Sequence, residues 1–323
     1  HVLRRKAKSC LGRLFAYRLW ERILVRWILK SLSLRNRGPK VNQPVKTNEW
    51  IPSMGNSVRP LLVTIPHSGE DIPPEAPWLS GLPEQLLMFD VDRYVDQLYA
   101  PTLMQLELPW VKTRWHRYAC DLNRLATDVD EESVVGSTNK KGSFPRGLLW
   151  SMTTKGEKLM PAAIDQETYD KLLERCFHPF HQAVHFVAES VVPVAVRHKA
   201  RPLYHLDLHS MPSLGTREHR DPGESRADLV ISNQDGKSSS AEFFELVLEA
   251  GRSQGFRVSD NWPYKGGRIT ESYGKPEEGW QTVQIELNRK LYMSEDTKRP
   301  LPGAFEETQT RVGRVLEYIA TRL

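Results

Sequence analysis

Cysteine is scarce in this chain. Cys10, Cys120 and Cys176 form an odd, widely scattered set. That excludes a disulfide framework and a cysteine-based metal site, and it fits a reducing, cytoplasmic compartment. Long apolar runs are missing as well. Residues 1–40, "HVLRRKAKSCLGRLFAYRLWERILVRWILKSLSLRNRGPK", contain Leu, Phe, Trp and Ile but interrupt them every few positions with Arg or Lys. No stretch there can span a bilayer. Acid is nearly absent from the same forty residues, which carry 12 Lys/Arg against Glu21 alone. The remaining chain holds 33 basic and 39 acidic residues, so the overall charge of +5 belongs to the leader and the body is mildly acidic. No broad basic surface remains in the body of the kind that nucleic-acid binding needs. Internal repeats are absent, and so are low-complexity segments beyond the leader.

Residues 1–40 begin without Met and admit three readings. They are an upstream sequence that is not native, an amphipathic basic helix for an anionic membrane or partner, or an Arg-rich targeting peptide. Contact with a membrane surface is expected only if they are native, and the chemistry does not depend on them. Residues 41–59 read as a polar connector rich in Pro and Asn. The body, 60–323, is long enough for one large catalytic domain.

Within the body, "LLVTI" at 61–65 is a buried-strand signal followed by the loop "PHSGEDIPPEAP". Residues 84–106 carry an apolar helical face, and "WVKTRWHRYACDLNR" reads as strand and loop. A loop-rich stretch covers 126–165 and a long helix roughly 166–192. Strands follow at "LYHLDLH", "ADLVIS" and "GWQTVQIELN", with helices at 241–254 and 304–322. Alternating strands and helices predict an α/β sandwich of three layers around a mixed, largely parallel sheet. In such sheets ligands bind at the carboxyl ends of strands. His67, Asn123, Arg124, His209 and Glu286 all fall at or just past such an end.

Each cluster has a bland reading and a chemical one. His67 and Glu70, three apart in a turn, are weak as a bare H-x-x-E, yet nitrogen and carboxylate donors suit zinc. In "LYHLDLHS", alternation turns His205, Asp207 and His209 to one side and Leu206 and Leu208 to the other. His209 is either a satisfied core residue or a third ligand whose second nitrogen Asp207 fixes. Glu286, set among Val283, Ile285 and Leu287, is either half of a buried ion pair or a general base. Arg124 beside Asn123 either closes a turn or grips a carboxylate with two parallel hydrogen bonds.

In order, "PHSGEDIP", "RYACDLNR", "LDLHSMPS", "KGGRITESYG" and "VQIELNRKLYM" resemble the pattern of the N-formylglutamate amidohydrolases over roughly residues 60–296. The order is also similar to that of the zinc carboxypeptidases and their aminoacylase-like relatives. The resemblance implies that fold and one zinc ion, or another divalent metal, per chain. It implies His67, Glu70 and His209 as ligands, Glu286 as the base, and Asn123 and Arg124 on the substrate carboxylate. Arg268 and Tyr273 would lie near the substrate. Asp92, in "FDVDRYVDQLY", is the alternative oxygen ligand to Glu70, whose spacing favours it. A second substrate carboxylate would meet Arg114, Arg117 or Arg268. His219, in the long loop after "LDLHSM", has no motif support and is expected to face solvent.

The implied activity is zinc-dependent hydrolysis of an N-formyl or N-acyl amide on an acidic amino acid, N-formylglutamate and water giving formate and glutamate. The substrate is then a small molecule. A carboxypeptidase-like peptidase acting on a peptide or cell-wall fragment is the alternative within the same chemistry. An inactive binding protein on the same fold is the alternative from another class.

Overall fold

Seven strands in the order β1–β3–β2–β4–β7–β5–β6 build the central sheet. The computed structural model describes residues 50–51, 59–129, 132–137, 146–190 and 202–323. The basic leader and nearly all of the expected connector lie outside them. Trp50–Ile51, within that connector, form β1 and pair antiparallel with β3, Trp110–Lys112. Residues Asn48–Leu323 make up one compact unit.

Strands β3, β2 (Leu61–Ile65), β4 (Leu203–Met211) and β7 (Trp280–Asn288) run parallel. Beyond them β5 (Leu229–Ser232) is antiparallel to β7 and carries β6 (Val258–Asp260) parallel to itself. The sheet is therefore mixed and mostly parallel, as the alternation of elements predicts. Its central strands are near-continuous apolar runs because parallel strands are covered on both faces. Leu61, Val63, Ile65, Leu206, Leu208, Val283, Ile285 and Leu287 pack on one face. They meet helices α2 (Val95–Gln105), α5 (Ala241–Ser253) and α7 (Ala304–Ala320). Leu62, Val111 and Leu203 begin the other face, under helices α3 (Gln166–Leu172) and α4 (His178–Ser190). A π-helical turn, Leu173–Phe177, joins these last two. The long helix expected over 166–192 is thus continuous over 166–190 but under-wound once, and residues 191–192 lie outside the described ones.

That second face turns polar towards the carboxyl ends of the strands. Register aligns Thr64 with Asp207, His205 with Thr282, Asp207 with Gln284 and His209 with Glu286. Period-2 alternation therefore gathers Thr64, His205, Asp207, His209, Thr282, Gln284 and Glu286 on one side.

The helix expected over 84–106 is broken. It consists of α1 (Glu84–Leu87) and α2, with Met88–Tyr94 between them outside helical geometry. Tertiary hydrogen bonds override local propensity here. The Asp92 amide donates to the His67 carbonyl at 3.0 Å, Tyr118 and Thr154 donate to the Asp90 carboxylate, and Tyr94 takes φ 69°. A short helix, α6 (Arg268–Tyr273), follows the glycine pair 266–267. No helix among the described residues is long and apolar enough to cross a membrane.

Gly69 lets the loop after β2 lie against the backbone after β3. A Cβ there would come within 2.7 Å of three backbone atoms of Arg114 and Trp115. Gly69→Ala is expected to destabilise the fold by about 1–3 kcal/mol, read as a lower denaturation midpoint at unchanged slope.

Candidate active site

The carboxyl ends of β2, β4 and β7 open into a cavity of about 490 Å³. His67, Asp92, His209, Asn123, Arg124 and Glu286 all line it. Its innermost part is a buried cluster of His67, Asp92 and His209. His209 Nδ1 lies 3.1 Å from His67 Nδ1 and 3.0 Å from Asp92 Oδ2, and His67 Nδ1 is 3.4 Å from the same oxygen.

The opposite ring nitrogens fix what those three atoms are. His67 Nε2 is 2.6 Å from Asp121 Oδ1, and His209 Nε2 is 2.8 Å from Asp207 Oδ2. Carboxylates only accept, so each Nε2 carries a hydrogen and each ring turns its Nδ1 towards the cluster. Two nitrogen lone pairs and a carboxylate oxygen thus face one another away from water, which is unfavourable unless a cation or proton lies between them. Zinc bound at about 2.0–2.1 Å in tetrahedral geometry would set donors about 3.3 Å apart. The observed separations fit. So does the surrounding shell, in which a carboxylate orients each histidine.

The electrostatics agree. Burial alone would raise the Asp92 carboxyl, but with a proton on the facing Nδ1 atoms in place of a cation, hydrogen bonds from His209 and His67 and the charge of Arg117 outweigh it and hold it well below its ordinary range. Arg289 Nη2 adds a hydrogen bond to Asp92 Oδ1 at 2.9 Å. Asp121 is likewise kept ionised against burial by His67, Arg124 and Arg117. Burial works against a proton on His209, yet Asp207 raises it well above the usual imidazole value where no cation competes. Glu286 is different: burial in the sheet pushes its carboxyl up to about 7. Gln284 Nε2 donates to Glu286 Oε1 at 2.8 Å.

Among the expected site residues, the structure brings His67, His209, Asn123, Arg124, Arg117, Arg268 and Glu286 to one cavity. Glu70 is corrected. Its carboxylate is 38 % exposed and takes two hydrogen bonds from Arg93, at 2.8 and 3.2 Å, outside the cavity, while Asp92 at 1 % occupies the oxygen corner. Tyr273 is corrected too. Its ring stacks on Trp280 with centroids 4.9 Å apart and its hydroxyl meets His181 Nδ1 at 2.8 Å, all in the core beneath the site. Arg114 bonds Asp71 and does not line the cavity. His219, expected in solvent, lines the cavity and hydrogen-bonds Thr216. Asp121 and Arg289 are site residues to which motif reasoning attaches no role. Their signal lies in "RYACDLNR" and "IELNR", where each sits beside a residue that does carry one.

Fold and cavity together define an α/β domain built around a site of imidazoles and carboxylates. The chain belongs to the N-formylglutamate amidohydrolase family, whose sequence model matches residues 59–293. An N-formylglutamate deformylase of Pseudomonas aeruginosa is 28% identical over 239 residues, covering 73% of this chain and 83% of the relative. The crystal structure of an N-formylglutamate amidohydrolase from Ralstonia eutropha superposes with a TM-score of 0.70 at 25% identity, covering 84% of this chain and 97% of that one. A gene product of Agrobacterium tumefaciens shares the fold, with a TM-score of 0.56 at 16% identity over 83% of this chain and 94% of that one.

Asp92→Ala is expected to lower the zinc retained by purified protein to a small fraction of wild type, whereas Glu70→Ala leaves it near the wild-type level. Elemental analysis of the two variants checks this.

Proposed function

We propose that the protein hydrolyses the N-formyl amide of an acidic amino acid, N-formylglutamate and water giving formate and glutamate. The observation that carries this reading is the meeting of the His67–Asp92–His209 cluster with buried Glu286 in one arginine-rich cavity. The names of the Pseudomonas and Ralstonia relatives supply the substrate. His67, Asp92 and His209 would hold a divalent cation, and two imidazoles with one carboxylate suit zinc. When bound, zinc supplies Lewis acidity, polarising the amide carbonyl and making a neighbouring water more acidic.

The chain's own residues do the rest. Glu286, with a carboxyl near neutrality, takes a proton from the attacking water and delivers it to the departing nitrogen. Arg124 and Asn123 hold the α-carboxylate. Arg124 Nε and Nη1 are fixed by the carbonyls of Arg146 and Asn123, at 2.6 and 2.8 Å, which orients the guanidinium. Asn123 is locked by accepting from the Ile269 amide at 2.7 Å.

The side-chain carboxylate needs a cation whose charge is not already matched. Arg117 pairs with Asp121, Arg146 with Glu218, Arg268 with Asp128 and Glu271, Lys265 with Asp235 and Arg289 with Asp92. Arg220, on the loop after β4, lines the cavity with no acidic partner among the described residues. We assign it the distal carboxylate. The same reading places the protein in the cytoplasm, in keeping with Cys120 and Cys176 as free thiols.

The test is formate release from N-formylglutamate by zinc-loaded protein. Release of a C-terminal amino acid from peptides, without formate release, would favour the peptidase alternative; neither activity would favour the binding protein. Glu286→Gln is expected to lower kcat by at least about a hundredfold, the scale of a lost general base, with zinc content unchanged. Arg220→Ala is expected to raise KM about tenfold or more for N-formylglutamate and to leave N-formylnorvaline, which lacks the distal carboxylate, nearly unaffected.

A further inference from the structure

Behind His209 the polar face of the sheet continues inward through side chains that do not line the cavity and meet the histidine–aspartate cluster only through Asp207. Thr64 Oγ1 lies 2.7 Å from Asp207 Oδ1 and 2.8 Å from His205 Nε2, while His205 Nδ1 is 3.4 Å from Thr282 Oγ1. Thr64, His205, Asp207 and Thr282 are each wholly buried, at 0 % exposure. No water competes for these bonds, so each donor and acceptor must be matched within the chain.

Only one arrangement of hydrogens satisfies the series. The ionised Asp207 accepts at both oxygens, so the single hydroxyl hydrogen of Thr64 goes to Oδ1. Thr64 Oγ1 must then accept from His205, which places the imidazole hydrogen on Nε2. His205 is a neutral ring, because burial pushes it down to about 4. Its Nδ1 is therefore bare and accepts from Thr282. At the other end Asp207 Oδ2 accepts from His209 Nε2 at 2.8 Å, which leaves His209 Nδ1 pointing its lone pair at Asp92 and His67. Asn123 Nδ2, 3.4 Å from the same Nε2, is itself a donor and adds only a packing contact.

We infer that Thr64 and His205 are positioning residues for the cation site: they hold Asp207 in the rotamer that keeps His209 Nδ1 directed at the cluster. The two histidines are supported unequally. Asp121, behind His67, is braced by the Asn123 amide, Trp150 Nε1 and Arg117 at 2.9, 3.2 and 3.0 Å. Asp207 Oδ1 has the Thr64 hydroxyl. Removing that hydroxyl leaves a buried carboxylate oxygen without a donor, and the group is then free to rotate in search of one. Rotation releases His209. Removing one donor to Asp121 leaves others in place.

This inference rests on the cation-binding reading above, and the experiment separates the two. The full-length chain is stripped of metal and titrated with zinc against a competing chelator. The wild type is expected to bind one zinc per chain. Thr64→Val, which keeps the shape and loses the hydroxyl, is expected to bind about 10–100-fold more weakly, the range for losing an outer-shell partner. Thr64→Ser, which restores the hydroxyl, is expected to return to within about threefold of wild type. A folded Thr64→Val protein that binds zinc as tightly as wild type overturns the inference. Nitrogen NMR of the wild-type histidines gives a reading that needs no variant. His205 and His209 are both expected as the Nε2–H form in the zinc-loaded protein, and an Nδ1–H form at His205 overturns the relay. Absence of zinc binding by the wild type would defeat the cation reading. The His205 tautomer in that protein would still decide the direction of the hydrogen bonds.

Discussion

Everything in this structure that bears on chemistry depends on one unfavourable contact that the fold is built to hold. Two imidazole nitrogens and a carboxylate oxygen converge to 3.0–3.4 Å in a region closed to water. Left alone, such lone pairs repel, and none of the three side chains can relieve the strain by hydration. They are prevented from turning away because each of the other polar atoms is already engaged. Asp121 and Asp207 hold the rings, and Arg289 and Arg117 hold Asp92. Preorganisation of this kind costs folding free energy and returns it when a positive charge enters.

The sheet makes the arrangement possible. Its central strands expose mostly apolar side chains on one face, which anchors the layer containing α2, α5 and α7. Alternation then leaves the opposite face free to carry threonine, histidine, aspartate, glutamine and glutamate in matched rows. Towards the amino ends of the strands that face is capped by Leu62 and Leu203, and towards the carboxyl ends it opens into the cavity. A one-residue slip of β4 against β7 would turn His205, Asp207 and His209 into the apolar layer.

The parts of the site that lie in strands are legible from sequence because period 2 is rigid. His209 with Asp207, and Glu286 among valine, isoleucine and leucine, need only alternation to be placed. Asp92 is a different case. The residues around it have helical periodicity, and only hydrogen bonds to His67, Tyr118 and Thr154, distant in sequence, pull them out of a helix. Glu70 has the spacing of a ligand, but Arg93 draws it outwards, and H-x-x-E alone does not reveal which way a loop residue turns. Tyr273 shares a motif with Arg268 on a helix of six residues, whose two sides face cavity and core. The loop after β4 carries turn residues without periodicity, so nothing local shows that His219 and Arg220 fold over the opening.

Arg289 ties the oxygen corner of the cluster to the end of the last strand. Its guanidinium reaches the carbonyls of Phe89 and Asp90, the Asp92 carboxylate 197 residues earlier, and Ser210. The chain is made from its amino end. Both histidines and their supporting aspartates therefore leave the ribosome well before the group that clamps Asp92. A growing polypeptide halted short of β7 has only Arg117 of the two arginines that hold Asp92, so the full clamp on that carboxylate arrives only with nearly complete synthesis.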